Sequence, residues 1–131
     1  MLDSLSKKQV ETIFDALPVE LMFVDENDKI RYWNKGEKRR FKVPGKVMGN
    51  DIRLCHKNES LPMVEQLVSD LKSGKKDGEI LWASYNRRQL NFFNALRDND
   101  GKYLGMLEYI VDLKVLEKLA EENKDAHRQE P

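Results

Sequence analysis

Apolar residues recur along this chain with two different periods, and the changes of period divide it into elements. Leu5, Val10, Ile13, Phe14 and Leu17 fall on one face at helical spacing, and Ser6 with Gln9 has the spacing of a capping box. A helix over residues 3–17 is predicted, stopped by Pro18. The period then shortens. Runs at about 20–25 and 29–34 read as strands around an Asx-rich turn, and a second hairpin folds around Asn99-Asp-Gly-Lys102. Strands at about 78–86, 88–98 and 103–112 are each rich in residues that suit a pleated, half-buried surface. Between the hairpins, Met63, Val64, Leu67, Val68 and Leu71 form a second helical stripe. Asn58 or Ser60 can cap it, Pro62 lies in its first turn and Gly74 just past its end. Pro44 and Gly45 break residues 35–48 into short helical turns. The two hairpins are far apart in sequence, so the sheet must close through non-local pairing. The predicted class is α+β: a five-stranded antiparallel sheet with helices on one face and flanking N- and C-terminal helices.

Several of these positions carry a specific resemblance. Leu17-Pro18 precedes the first strand, Val24-Asp25-Glu26-Asn27-Asp28 forms its turn, Asn34 ends the second strand, and Asp98-Asn-Asp-Gly101 is followed by Gly105 and Asp112. Over about residues 14–116 this resembles a PAS domain, a small sensory and protein-interaction module of signalling proteins. Within PAS domains, Cys55-His56 after Gly49-Asn-Asp51 and the segment Gly105–Asp112 are most similar to the branch attached to hemerythrin-like domains in bacteria and archaea. That branch usually continues Cys-His with two prolines, where this chain has Lys57 and Asn58. The resemblance divides the chain into an N-terminal amphipathic helix at 1–17, a PAS domain at 18–113, and a C-terminal helix and polar tail at 114–131. It also implies a signal handed through that last helix to an effector or to a hemerythrin-like partner. Leu113, Leu116 and Leu119 begin such a helix, yet no heptad repeat is sustained beyond them.

Composition narrows the function classes. A chain of 131 residues holds one domain with a real core. Its 23 basic and 23 acidic residues balance, so no global charge draws it to nucleic acid or an anionic membrane. The basic run Lys35, Lys38, Arg39, Arg40, Lys42 has no interleaved aromatic platform and reads as a solvated face. No apolar stretch approaches ~20 residues and no signal sequence leads the chain, which predicts a cytoplasmic protein. A single cysteine excludes an internal disulfide framework. No phosphate loop, metal-spaced Cys/His cluster or nucleophile elbow is present, and of two histidines His127 lies in the polar tail, so no catalytic residues are expected.

Candidate binding residues come from two places. Cys55-His56 supplies a thiol and an imidazole, both iron ligands, and in haem-binding PAS domains the axial histidine comes from the helical side of the pocket, near where His56 would fall. The plainer reading makes Cys55 a small buried hydrophobe and His56 a structural or surface residue. Strand parity supplies the rest. Met106, Glu108 and Ile110 share one face of the last strand, and Leu107, Tyr109 and Val111 share the other. Both faces are mostly apolar, so both should be covered, and on the preceding strand alternation taken alone would place Leu90, Phe92 and Leu96 inward. Resemblance to PAS domains turns Met106, Glu108 and Ile110 toward a ligand cavity, joined by Gln89, Asn91 and Phe93 of the preceding strand. Glu108 on a cavity wall would have to be hydrogen-bonded, paired or protonated; otherwise it reaches solvent or a surface cation.

The leading expectation is a non-catalytic sensory module that holds a small polar ligand. A haem- or metal-based redox or gas sensor using His56, and a dimerisation scaffold without ligand, remain open. Leu90, Phe92, Leu96, Leu107, Tyr109 and Val111 on the outer sheet face, with the N-terminal stripe, are more apolar surface than one helix covers. A homodimer through that face and the N-terminal helix is expected.

Overall fold

A computed structural model describes residues 1–83 and 88–126. A 3-10 turn at Leu2–Ser4 leads into α1, Lys7–Asp15. The helix starts there because the capping box forms: Gln9 N donates to Ser6 Oγ at 3.0 Å and Ser6 N to Gln9 Oε1 at 2.8 Å. The first hairpin follows as β1, Glu20–Asp25, and β2, Ile30–Trp33. Short 3-10 turns at Gly36–Lys38, Gly45–Val47, Ile52–Cys55 and Asn58–Ser60 lead to α2, Leu61–Ser73. Strands β3, Gly78–Ala83, β4, Gln89–Arg97, and β5, Tyr103–Asp112, complete the sheet, and α3 spans Leu113–Glu122. The last three residues of the strand expected at 78–86 fall within 84–87, which lie outside the described residues, as does His127.

The sheet is antiparallel with order β2-β1-β5-β4-β3, so the last strand is central and joins the two hairpins. Val24 of β1 stands opposite Met106 of β5, and Ala95 of β4 flanks Met106 on the other side. Residues directly opposite share a face, so Met22, Val24, Met106, Glu108, Phe93 and Leu81 look the same way. That face carries the core, where Val64, Leu67, Val68 and Leu71 of α2 pack with Val24, Ile30, Val47, Ile52 and Met106. Each such buried aliphatic side chain contributes about 1.5–3 kcal/mol.

The outer face is built differently. Phe92 and Tyr109 stack at 4.7 Å with rings 4° from parallel, amid half-buried Leu90, Leu96, Leu107 and Val111. Helix α1 meets the sheet through Phe14 against Tyr32, at 5.7 Å between rings, and buries none of its residues. Its Ile13, Phe14 and Leu17 stay exposed, as do Ile80 and Trp82 of edge strand β3.

The basic run is not a uniformly solvated face. Arg39 is 4% exposed; its Nη1 donates to Leu21 O at 3.0 Å and its Nε to Phe41 O at 3.0 Å, with Glu20 3.8 Å away. Burial lowers its pKa, a tendency the Glu20 and then the Glu108 carboxylates oppose. Arg40 pairs with Asp112, whose carboxylate also accepts from Lys114 N and Val115 N and so caps α3. A buried basic side chain here becomes a structural tie, because its donors answer the backbone carbonyls of Leu21 and Phe41.

Candidate functional site: a pocket between helix α2 and the sheet

Between α2 and the inner sheet face lies a small cavity of about 50 Å³. Val64, Leu67 and Val68 of α2 cover it, and Leu81, Phe93 and Met106 form its sheet wall. Its polar lining consists of Glu108 of β5, Glu79 of β3 and His56 after the Ile52–Cys55 turn. Parity places the two carboxylates, since Glu79 and Glu108 both stand opposite Phe93 on neighbouring strands.

Glu108 receives no hydrogen bond from any described residue. Among the described residues no fully buried side-chain polar atom lacks a partner, so the accessible surface Glu108 retains belongs to the pocket it lines. Protein otherwise encloses the carboxyl. Desolvation therefore raises its pKa, and the Arg39 guanidinium opposes the rise. His56 is exposed as a residue although it lines the pocket, and partial burial lowers its pKa, favouring the neutral imidazole.

Arg53 fixes the turn that carries His56. Its Nη1 lies 3.0 Å from both Asp28 of the first hairpin turn and Asp51, and its guanidinium also pairs with Glu65 of α2. Lys72 of α2 reaches Asp28 at 2.8 Å. These pairs are partly exposed, worth roughly 0.2–1 kcal/mol each. Together they tie the helix covering the pocket to the turn at its rim.

The candidate residues do not all converge. His56, Phe93, Met106 and Glu108 line the cavity. Gln89, Asn91 and Ile110 share its face of the sheet but lie outside it. Gln89 is buried and its Nε2 donates to Asn91 Oδ1 at 3.0 Å, so this polar pair answers itself. Ile110 instead lines a separate cleft with Phe41 and Val115. Cys55 is exposed rather than a buried hydrophobe and is not part of the lining; burial of its thiol, then the Glu108 and Asp51 charges, push its pKa up. Sequence reasoning missed Glu79, Leu81 and Ile52. The pairing of β3 with β4 identifies the first two, whereas Ile52 follows from a turn held by distant carboxylates.

The cavity does not fit a haem. Its 50 Å³ holds about two water-sized groups, and among the described residues no group of three His, Cys, Asp or Glu is placed to hold a metal ion. No described helix is long and apolar enough to cross a membrane.

Comparison with known proteins agrees with this geometry. The C-terminal domain of a Streptococcus mutans protein is 29% identical with a TM-score of 0.78, over 88% of this chain and 90% of that one. The PAS domain of Bordetella pertussis BvgS has a TM-score of 0.60 at 16% identity, covering 89% and 96%. A sensory box sensor histidine kinase of Vibrio cholerae has a TM-score of 0.57 at 14% identity, covering 79% and 87%. No curated protein matches the chain significantly in sequence. The family model described as a PAS domain matches residues 10–114. Together with the strand order and the helix-covered inner face, that match over most of the chain means that it belongs to the PAS domain family.

Proposed function

We propose that the chain is a non-catalytic sensory and protein-interaction module whose pocket under α2 takes a small polar ligand. The observation that carries this reading is Glu108, an enclosed carboxyl that lines a cavity and receives no hydrogen bond from any described residue. The Glu108 oxygens keep some accessible surface but lie in a desolvated setting, and a ligand donor that reaches them recovers part of the cost of that desolvation. Native mass spectrometry of the gently purified protein tests the reading. A bound small molecule released on unfolding supports it; a bare chain mass from several expression hosts counts against it.

Glu108→Leu is expected to stabilise the fold by about 1 kcal/mol near neutral pH, because it replaces a desolvated acid with an apolar side chain. The sign follows from linkage. The folded-state pKa lies above the unfolded one, so between the two the native state holds more protons, and wild-type stability falls as pH rises through that window. The variant's advantage vanishes in acid, below both values. Urea unfolding across pH checks this, and substantial destabilisation would assign Glu108 to a structural network.

The module pairs with a second copy in this reading, through the outer sheet face and α1. The supporting observation is that Ile80 and Trp82 stay exposed next to the β4 strand that carries Phe92, and that Ile13, Phe14 and Leu17 stay exposed at the β2 end of the sheet. Ile13→Glu with Tyr109→Glu is expected to give a monomer by light scattering. A wild-type mass near 15.4 kDa at micromolar concentration would sink the dimer. Cys55-His56 and the Gly105–Asp112 segment make a hemerythrin-like protein the effector to test first.

A further inference from the structure

The polar lining of the α2 pocket consists of two carboxylates and an imidazole, and no lysine or arginine lines it. Glu79 is already paired, 3.4 Å from Lys76. Arg39, the buried cation that faces Glu108, is committed to the carbonyls of Leu21 and Phe41 and to Glu20. Glu108 is thus the acceptor left over, enclosed and without a donor from any described residue, and His56, which lines the same pocket, offers a second acceptor in its neutral ring. Such a site lacks donors and positive charge, and its ligand must bring both.

We propose, building on the ligand-site reading above, that the pocket binds a primary ammonium group on a short aliphatic body. The N–H groups are directed at Glu108 and His56, and the carbon lies against Leu67, Phe93 and Met106. Room for about two water-sized groups sets the size near that of methylammonium, with ethylammonium, one carbon larger, at the upper limit. A longer amine requires Met63 to yield, and Met63 lines the pocket while 58% exposed. A bare metal ion does not suit the site, since the described residues offer no three-ligand group.

NMR titration of the full chain with ethylammonium, ethanol and acetate at matched ionic strength tests this. Ethylammonium is expected to give saturable shifts at the Met106 and Leu67 methyls, and ethanol and acetate to bind at least about tenfold more weakly. Glu108→Gln keeps the side chain's shape and is expected to weaken ethylammonium about ten- to a hundredfold. His56→Ala, at a residue exposed enough to leave folding intact, is expected to weaken it about fivefold. Wild-type affinity is expected to rise with pH as Glu108 and His56 lose protons; Glu79 also lines the site, and Arg39 and Cys55, outside the lining, interact with the Glu108 charge. Ethanol or acetate binding in place of ethylammonium overturns the ammonium assignment and leaves a ligand pocket standing. Ethylammonium binding unchanged in both variants puts the site elsewhere and overturns it too. No saturable shift with any probe overturns it as well, and if native protein also releases no small molecule, the ligand-site reading falls with it.

Discussion

Gly105→Ala is expected to abolish stable folding, at a cost on the order of 4 kcal/mol or more out of a total of about 5–15. Gly105 lies in central strand β5 opposite Asp25 of β1 and Leu96 of β4, with φ at +148°, where side chains are rarely tolerated. An added Cβ would lie 2.6 Å from the Phe23 ring and closer still to the Val24 carbonyl oxygen. The Val24 carbonyl cannot retreat easily, because Val24 is 1% exposed and paired with Met106. Gly101→Ala is the control. That position also has positive φ, +82°, but nothing within 4 Å of a new Cβ, so only about 1 kcal/mol of backbone strain is expected. Urea midpoints of the two variants separate the effects. Equal losses would mean that the β1–β5 contact yields and that strain alone matters.

Asn34→Ala is expected to cost about 3–5 kcal/mol and to release α1 from the domain. Asn34 is fully buried. Its Oδ1 accepts from Leu21 N at 2.8 Å, and its Nδ2 donates to Phe14 O at 2.8 Å and Val19 O at 2.9 Å. One amide thus ties the end of α1, the approach to β1 and β1 itself. Alanine leaves the buried Leu21 N–H and the Val19 carbonyl unanswered, while Phe14 O keeps the bond from Leu17 N; asparagine's isostere aspartate would set a carboxylate against the Val19 and Phe14 carbonyls. Hydrogen exchange should show residues 7–16 losing protection well below the global unfolding transition. Protection lost only with global unfolding would show that Phe14 on Tyr32 and the Lys35–Asp15 hydrogen bonds suffice to hold the helix.

Local chemistry made most of the architecture legible. Ser6 and Gln9 announce the start of α1, the Met63–Leu71 stripe announces α2, and the Asx-rich turns announce both hairpins, because each signal acts within a few residues. Which face of β5 turns inward was not legible from alternation, since Met106 and Ile110 are as apolar as Leu107 and Val111; resemblance to the family chose it. Parity then assigns a face but not a place along it. Gln89 and Asn91 share the face of Glu108, yet α2 does not extend over them to make a pocket. His56 reaches the cavity because Arg53 is held by Asp28, Asp51 and Glu65, partners that no local window brings together. Arg39 is inward for the same kind of reason: its acceptors belong to β1 and to the segment that follows it.

Strand order also sets a timetable for synthesis. The β4–β5 hairpin closes over a short turn, but β1 has no second neighbour until β5 has emerged, because Val24 waits for Met106. Loop closure of that span must be paid before any contact across it repays the loss. A nascent chain ending before residue 103 therefore carries β1 with one edge bare and the α2 stripe without its Met106 contact, the kind of surface that recruits chaperones. Joining β1 to β5 is the late and slow event, so truncation within β5 should leave an aggregating chain rather than a smaller domain.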